Sequence, residues 1–202
     1  MKATQSIEIF NMAIADFHIT EHVDTLLKNP YKQNTIESLF YTKCWIDTIQ
    51  WHLEDIIRDP EIDPVKGMSI KRRIDASNQD RTDMVEKLDD YYISIFKGTP
   101  AKKNATINTE SPGWVVDRIS ILCLKIWHME EQVQRLDSTE THKKTCQSKL
   151  DILETQKEDL ISAFDLLLND YKKGNKCIKV YRQMKMYNDE DLNPVLYKKG
   201  NS

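Results

Sequence analysis

Apolar residues recur along most of this chain at three- and four-residue spacing, the period of a helix that buries one face. The longest such stretch holds no Gly or Pro between Ile70 and Ile95. At about 100° per residue, Ile70, Ile74, Val85, Leu88, Tyr92 and Ile95 share one stripe. A first helix is expected from about residue 5 to 28, with Ile7, Phe10, Ile14 and Phe17 on one face and His18 and Glu21 continuing it. Asn29-Pro30 ends it, because a residue before proline avoids the helical region. A second helix, capped by Asn34 or Thr35, runs to about Arg58, where Asp59-Pro60 closes it. Asp63-Pro64 and Gly67 read as connection, and the third helix ends near Gly98-Thr99-Pro100.

Residues from about 98 to 113 read as one long irregular loop, a length typical of lids, binding loops or linkers. Ser111-Pro112 has the form of an N-cap followed by proline at the first helical position. The fourth helix then runs to about Leu136, and a fifth, capped by Ser138 or Thr139, to about Tyr171. Lys172-Lys173-Gly174 breaks it, a shorter sixth helix reaches about Tyr187, and Asn193-Pro194 starts an extended tail. The expected fold is all-α: a single-domain bundle of five to six helices over 1–202, more than two-thirds helical.

Composition changes this picture little. Only 5 Gly and 6 Pro among 202 residues suit long helices better than a sheet with many turns. The net charge of −3 provides no global basic field, so no nucleic-acid partner is expected. No apolar run approaches the roughly 20 residues of a transmembrane helix. The N-terminus lacks the apolar core of a signal peptide, so a cytoplasmic location is expected. Cys44, Cys123, Cys146 and Cys177 are widely spaced and read as reduced thiols. Lys and Arg between Lys172 and Lys185 read as a solvated face near helix ends, with an anion or membrane patch as the alternative.

Candidate chemistry starts inside the third helix. Ser77, Asn78 and Arg81 lie in the middle of its apolar stripe, so burying the stripe buries a guanidinium that needs acids or a ligand. On the second helix, Trp45, Ile46, Ile49, Leu53 and Ile56 form a core face, while Phe40, Cys44 and Trp51 line the other side. Apolar groups on both sides imply a helix covered on both sides, with Asp47, Glu54, Asp55 and Arg58 at the edge of the second surface. The alternative is a solvated face with Lys43–Asp47 and Glu54–Arg58 pairs at i,i+4. On the fourth helix a core stripe of Val115, Ile119, Leu122, Ile126, Met129 and Val133 adjoins a mixed stripe of Asp117, Leu124, His128, Glu131 and Arg135.

Trp51-His52-Leu53-Glu54-Asp55 and Trp127-His128-Met129-Glu130-Glu131 look alike, each placing His and an acid at i,i+3. His18 and Glu21 repeat the spacing. The di-metal bundle signature runs in the opposite order, Glu-x-x-His, so no metal ligands are assigned and no cofactor is named. His18 and His142 read as helix residues satisfied by their neighbours. His52 and His128, beside Trp and acids, are site candidates.

Several long motifs resemble one family. They are Lys43-Cys44-Trp45-Ile46-Asp47 running into Trp51-His52-Leu53-Glu54-Asp55-Ile56-Ile57-Arg58, Lys71-Arg72-Arg73-Ile74-Asp75 with Ser77-Asn78-Gln79-Asp80-Arg81, and Asn108-Thr109-Glu110-Ser111-Pro112. Asp117-Arg118-Ile119-Ser120-Ile121-Leu122, Lys125-Ile126-Trp127-His128-Met129-Glu130-Glu131-Gln132 and Gln183-Met184-Lys185-Met186-Tyr187-Asn188-Asp189 extend the match. The chain resembles the bacterial domain-of-unknown-function family 4254, mostly from Bacteroidetes. The resemblance implies an all-helical protein with no assigned activity, set beside envelope glycosyltransferases.

Three functions are compatible with these residues. In the first, a pocket takes a phosphorylated or nucleotide-linked small molecule of sugar type from envelope glycan metabolism. Arg81 and Lys125 meet the anion, Asn78 and Ser77 orient it, and His128 with Glu131 is the acid/base pair. Glu54 and Asp55 position a sugar, with His52, Asp117 and Arg118 lining the site. In the second, the chain is an adaptor for glycosyltransferases, contacting them through Trp114, the 98–113 loop and the sixth helix. The third is a metal-dependent all-α pyrophosphohydrolase, weakened by the adjacency of Glu54 and Asp55.

Overall fold

The computed structural model describes residues 3–184 and 191–192, and 69% of them are helical. Five helices follow in order: α1 (Ala3–His18), α2 (Ile36–Ile57), α3 (Pro64–Phe96), α4 (Pro112–Gln134) and α5 (Glu140–Lys172). The all-α bundle expected from the periodicity is the fold. Thr35 caps α2 by accepting from the Ser38 N–H, and Thr139 caps α5 by accepting from the His142 N–H.

Helix α2 is the centre of the bundle. It packs against α1, α3 and α4, while α5 lies mainly along α4. The main core joins Phe10, Ile14 and Phe17 of α1, Phe40, Cys44 and Trp45 of α2, Leu88 and Tyr92 of α3, Ile119 and Leu124 of α4, and Phe164 and Leu167 of α5. Each such side chain contributes about 1.5–3 kcal/mol when fully buried. Leu53, Ile70 and Ile74 form a smaller cluster between the far ends of α2 and α3. Phe40 and Cys44, on the side of α2 opposite its expected core face, are buried too, so the helix is covered on both sides.

Four expectations about elements need correction. First, α1 ends at His18, ten residues early. The Thr20 and Glu21 amides both donate to the Phe17 carbonyl, and Glu21 takes φ 50°, a left-handed conformation that terminates a helix. Second, α3 begins at Pro64, capped by Asp63, so Gly67 lies inside the helix rather than in a connection. Third, Ile95 is half exposed, because the third-helix stripe leaves the core after Tyr92.

Fourth, residues 175–184 are not helical, and 185–187 lie outside the described residues. Gly174 takes φ +69° and its backbone approaches the Pro100 carbonyl too closely for any Cβ. The chain beyond it runs beside the long loop. Lys102 donates to the Gly174 carbonyl, Thr106 to Asn175 and Cys177 to Thr106. The Gly174 and Asn175 carbonyls and the Cys177 amide, which a sixth helix would use internally, are engaged by this pairing. The Asn193-Pro194 tail also lies outside the described residues.

Candidate functional site

The buried guanidinium of the third helix finds its acids. Arg81 Nε donates to Asp47 Oδ1 at 2.8 Å, and Nη2 donates to Asp117 Oδ1 at 3.1 Å. Lys43, fully buried, donates to Asp47 Oδ2 and reaches Asp117 Oδ1 at 2.8 Å. Ser120 Oγ adds a third donor to Asp47, at 2.6 Å. Two cations therefore alternate with two carboxylates drawn from α2, α3 and α4. Burial works against the Arg81 charge, but Asp47 and Asp117 outweigh it and hold its pKa above the ordinary value. Its guanidinium is engaged by protein acids.

The Lys43–Asp47 pair thus lies in the core and not on a solvated face, whereas the Glu54–Arg58 pair, 3.2 Å apart, is on the surface as that alternative supposed. Lys43 and Ser120 were not among the expected site residues. Nothing in their local sequence marks them, since the groups that bury them belong to other helices. Ser77 is buried, and the exposed Asn78 shares its partner on α2. Ser77 donates to Gln50 Oε1 at 3.0 Å, and Gln50 Nε2 donates to Asn78 Oδ1 at 2.8 Å. This ladder joins α2 to α3.

Two adjacent cavities share Trp51 and Asp55 of α2. One, about 370 Å³, is lined by Asp47, Gln50, Glu54, Arg58 and Arg81 together with Trp51 and Asp55. The other, about 550 Å³, lies between α2, α4 and α5 and also includes Trp51 and Asp55. Its walls are Met129, Ile152 and Leu153 on the apolar side and Lys125, His128, Gln132 and Lys149 on the polar side. Arg81 and Glu54 therefore share a cavity, and His128 lines its neighbour. Asp55 and Glu54 are both within reach of Arg58. Arg118 is elsewhere, paired with Glu110 of the long loop at 2.8 Å.

The histidines converge. His18 ends α1, His52 lies in the last turns of α2 and His128 in the last turns of α4. One ring nitrogen from each lies within 4.8 Å of the other two. His18 Nδ1 donates to the Ile14 carbonyl at 2.7 Å, and His128 Nδ1 sits 2.7 Å from Glu131 Oε2. Each ring is faced by an aromatic one: His52 by Phe17, His18 by Trp127 and His128 by Trp51, with centroids 4.9, 5.0 and 4.7 Å apart. Burial lowers the His52 pKa, and the neighbouring imidazoles of His18 and His128 add to this. Glu21 and Asp55 pull the other way. His52 and His128, each a site candidate from sequence, meet here; His18, expected to be satisfied by its neighbours, has a partner for only one of its nitrogens.

The family can now be tested against the whole chain. A family model described as "Protein of unknown function (DUF4254)" matches residues 37–180. The chain belongs to this family. No curated protein and no solved structure matches it. The matched segment carries α2 to α5, both cavities, the four-charge network, His52 and His128; His18 lies before it. Among the described residues, no helix is long and apolar enough to cross a membrane.

Proposed function

We propose that the groove between α2, α4 and α5 binds a phosphorylated or nucleotide-linked small molecule. The observation that supports this reading is the groove's chemistry. About 550 Å³ is within the range of small-molecule sites. Its apolar floor of Trp51, Met129 and Leu153 ends at Lys125 and Lys149, neither of which has an ion-pair partner among the described residues. Two unpaired ammonium groups beside an apolar wall suit a ligand with an anionic end and a ring or acyl body.

Relative to the sequence-based assignment of Arg81 and Lys125, Lys125 stays as an anion contact and Lys149 takes the place of Arg81, which is already paired. A sugar-type ligand from envelope glycan metabolism fits the setting implied by the family resemblance. Asp55 is the carboxylate placed to accept from its hydroxyls. The pyrophosphohydrolase reading requires clustered carboxylates, and among the described residues the group able to hold an ion consists of histidines alone. The adaptor reading uses the 98–113 loop, Trp114, which is half-buried, and a sixth helix, of which 175–184 are not helical.

A thermal-shift panel of nucleoside diphosphates, nucleotide sugars and sugar phosphates tests the groove. At a hundredfold excess over Kd a bound ligand raises Tm by about 5 °C or more. Lys125→Gln with Lys149→Gln, at two exposed positions, should abolish that shift and leave the unliganded Tm within about 2 °C. A panel without effect on the wild type, or a shift retained in the double variant, refutes the proposal.

A further inference from the structure

Beside the proposed groove, with His128 common to both, the histidine cluster poses a problem of its own. The Nε2 atoms of His18, His52 and His128 are all buried and none has a hydrogen-bond partner. Buried polar atoms are almost always satisfied, and each orphan costs about 1–3 kcal/mol. Three orphans in one small volume, contributed by three different helices, call for a common partner.

The tautomers identify what that partner must be. A carbonyl oxygen only accepts, so His18 Nδ1, 2.7 Å from the Ile14 carbonyl, carries the proton. The Glu131 carboxylate imposes the same on His128 Nδ1. A neutral imidazole protonated at Nδ1 presents a bare lone pair at Nε2. His52 Nε2 is buried and unpartnered in the same cluster, and with its proton on Nδ1 it adds a third lone pair. Lone pairs cannot satisfy one another. They need a cation.

We propose that His18, His52 and His128 form a three-histidine site for a first-row transition metal ion of the zinc class, bound through the three Nε2 atoms. Neutral imidazole is the preferred ligand of such ions. Tetrahedral bonds of about 2.0–2.1 Å place ligand nitrogens about 3.4 Å apart. The nitrogens here lie within 4.8 Å of one another, so small side-chain rotations close the site. The supporting contacts are those of metal sites: a carboxylate, Glu131, and a backbone carbonyl, that of Ile14, hold the distal nitrogens and fix ring orientation. Phe17, Trp127 and Trp51 hold the ring faces. Three protein ligands leave a fourth position for water or a small exogenous ligand.

The proposal accounts for a feature of the fold. Helix α1 stops at His18, where the chain turns through the left-handed Glu21, and so delivers its last side chain to the ends of α2 and α4. A metal there would tie α1 to the two helices that carry the groove, since His128 and Trp51 also line it.

The test uses the full chain, stripped with chelator and titrated with Zn2+ and with Co2+. One equivalent of Co2+ should give the ligand-field absorption of a tetrahedral nitrogen site, displaced by Zn2+, and Zn2+ should raise Tm. His18→Gln, His52→Gln and His128→Gln should each weaken binding by about 100-fold or more, whereas His22→Gln and His142→Gln should not change it. A readout without variants keeps the proposal falsifiable if one of these fails to fold. In 15N-histidine-labelled wild type, Zn2+ should shift the Nε2 resonances of three histidines protonated at Nδ1 and leave those of His22 and His142. Less than about a tenth of an equivalent bound at micromolar metal, or shifts confined to His22 and His142, would overturn it.

Discussion

At the scale of single residues, the decisive group is Lys43. Among the described residues its ammonium is the one fully buried cation, and it bridges Asp47 and Asp117. Removing it leaves two carboxylates in the core with only Arg81 between them. Lys43→Met should therefore cost about 3–5 kcal/mol, the usual penalty for breaking a buried ion pair. Arg81 is about a quarter exposed, and without it Lys43 still touches both acids. Arg81→Met should cost less, about 2 kcal/mol. Urea denaturation of both variants checks the order, and an Arg81→Met protein less stable than Lys43→Met would contradict the assignment of roles. This network also shows what local sequence cannot convey. Lys43–Asp47 and Glu54–Arg58 have the same spacing on the same helix, yet one pair is buried and the other wet. The difference comes from Asp117 and Ser120 on α4, more than sixty residues away.

Helix ends illustrate the same limit at the scale of elements. Ser111-Pro112 was legible as the start of α4, but Ser111 does not cap it by its own side chain. Asp89 of α3 does so from outside, accepting from the Gly113 amide at 2.7 Å and from the Ser111 hydroxyl at 2.6 Å. The two helices meet so closely that a Cβ on Gly113 would lie 2.4 Å from the Val85 carbonyl oxygen. Gly113→Ala should destabilise by about 3 kcal/mol, read by chemical denaturation; a loss under about 1 kcal/mol would show that the α3–α4 contact gives way easily. Burial raises the Asp89 pKa more than its two hydrogen bonds lower it. The folded state therefore holds the Asp89 proton more tightly than the unfolded chain does. This contribution to stability is present at low pH and is lost as pH rises from the unfolded carboxyl value through the folded one. Asp89→Asn should remove that part of the pH dependence, while Asp89→Ala, leaving the Gly113 amide unmet, should cost about 1–3 kcal/mol at every pH. A wild-type stability curve superimposable on that of Asp89→Asn below neutrality would disprove this. The early end of α1 is local, a left-handed Glu21 closing on the Phe17 carbonyl, whereas the absence of helix over 175–184 follows a left-handed Gly174 whose partner, the 98–106 loop, is set by tertiary contact.

For the whole molecule, periodicity was enough to suggest that α2 is covered on two sides, and Phe40 and Cys44 are buried opposite Trp45 and Leu53. It could not reveal that the ends of α1, α2 and α4 meet, because His18, His52 and His128 are brought together by packing angles that no spacing rule encodes. The same packing encloses the thiols, which makes them reporters of global opening. Cys44, Cys123 and Cys146 are buried and Cys177 is half-buried beside the long loop. Burial pushes the Cys123 thiol up to about 12, and that of Cys44 higher still, so neither carries appreciable thiolate near pH 8. A thiol reagent added to the native protein should therefore modify Cys177 first. Cys44 and Cys123 belong to the core shared by all five helices, so they become reactive only when the bundle opens as a unit. Their labelling free energy should equal the unfolding free energy from urea denaturation, and Lys43→Met should lower both by the same amount. Rapid labelling of all four thiols in folded protein would show instead that α1 or α5 detaches locally, and would rule out a single cooperative bundle.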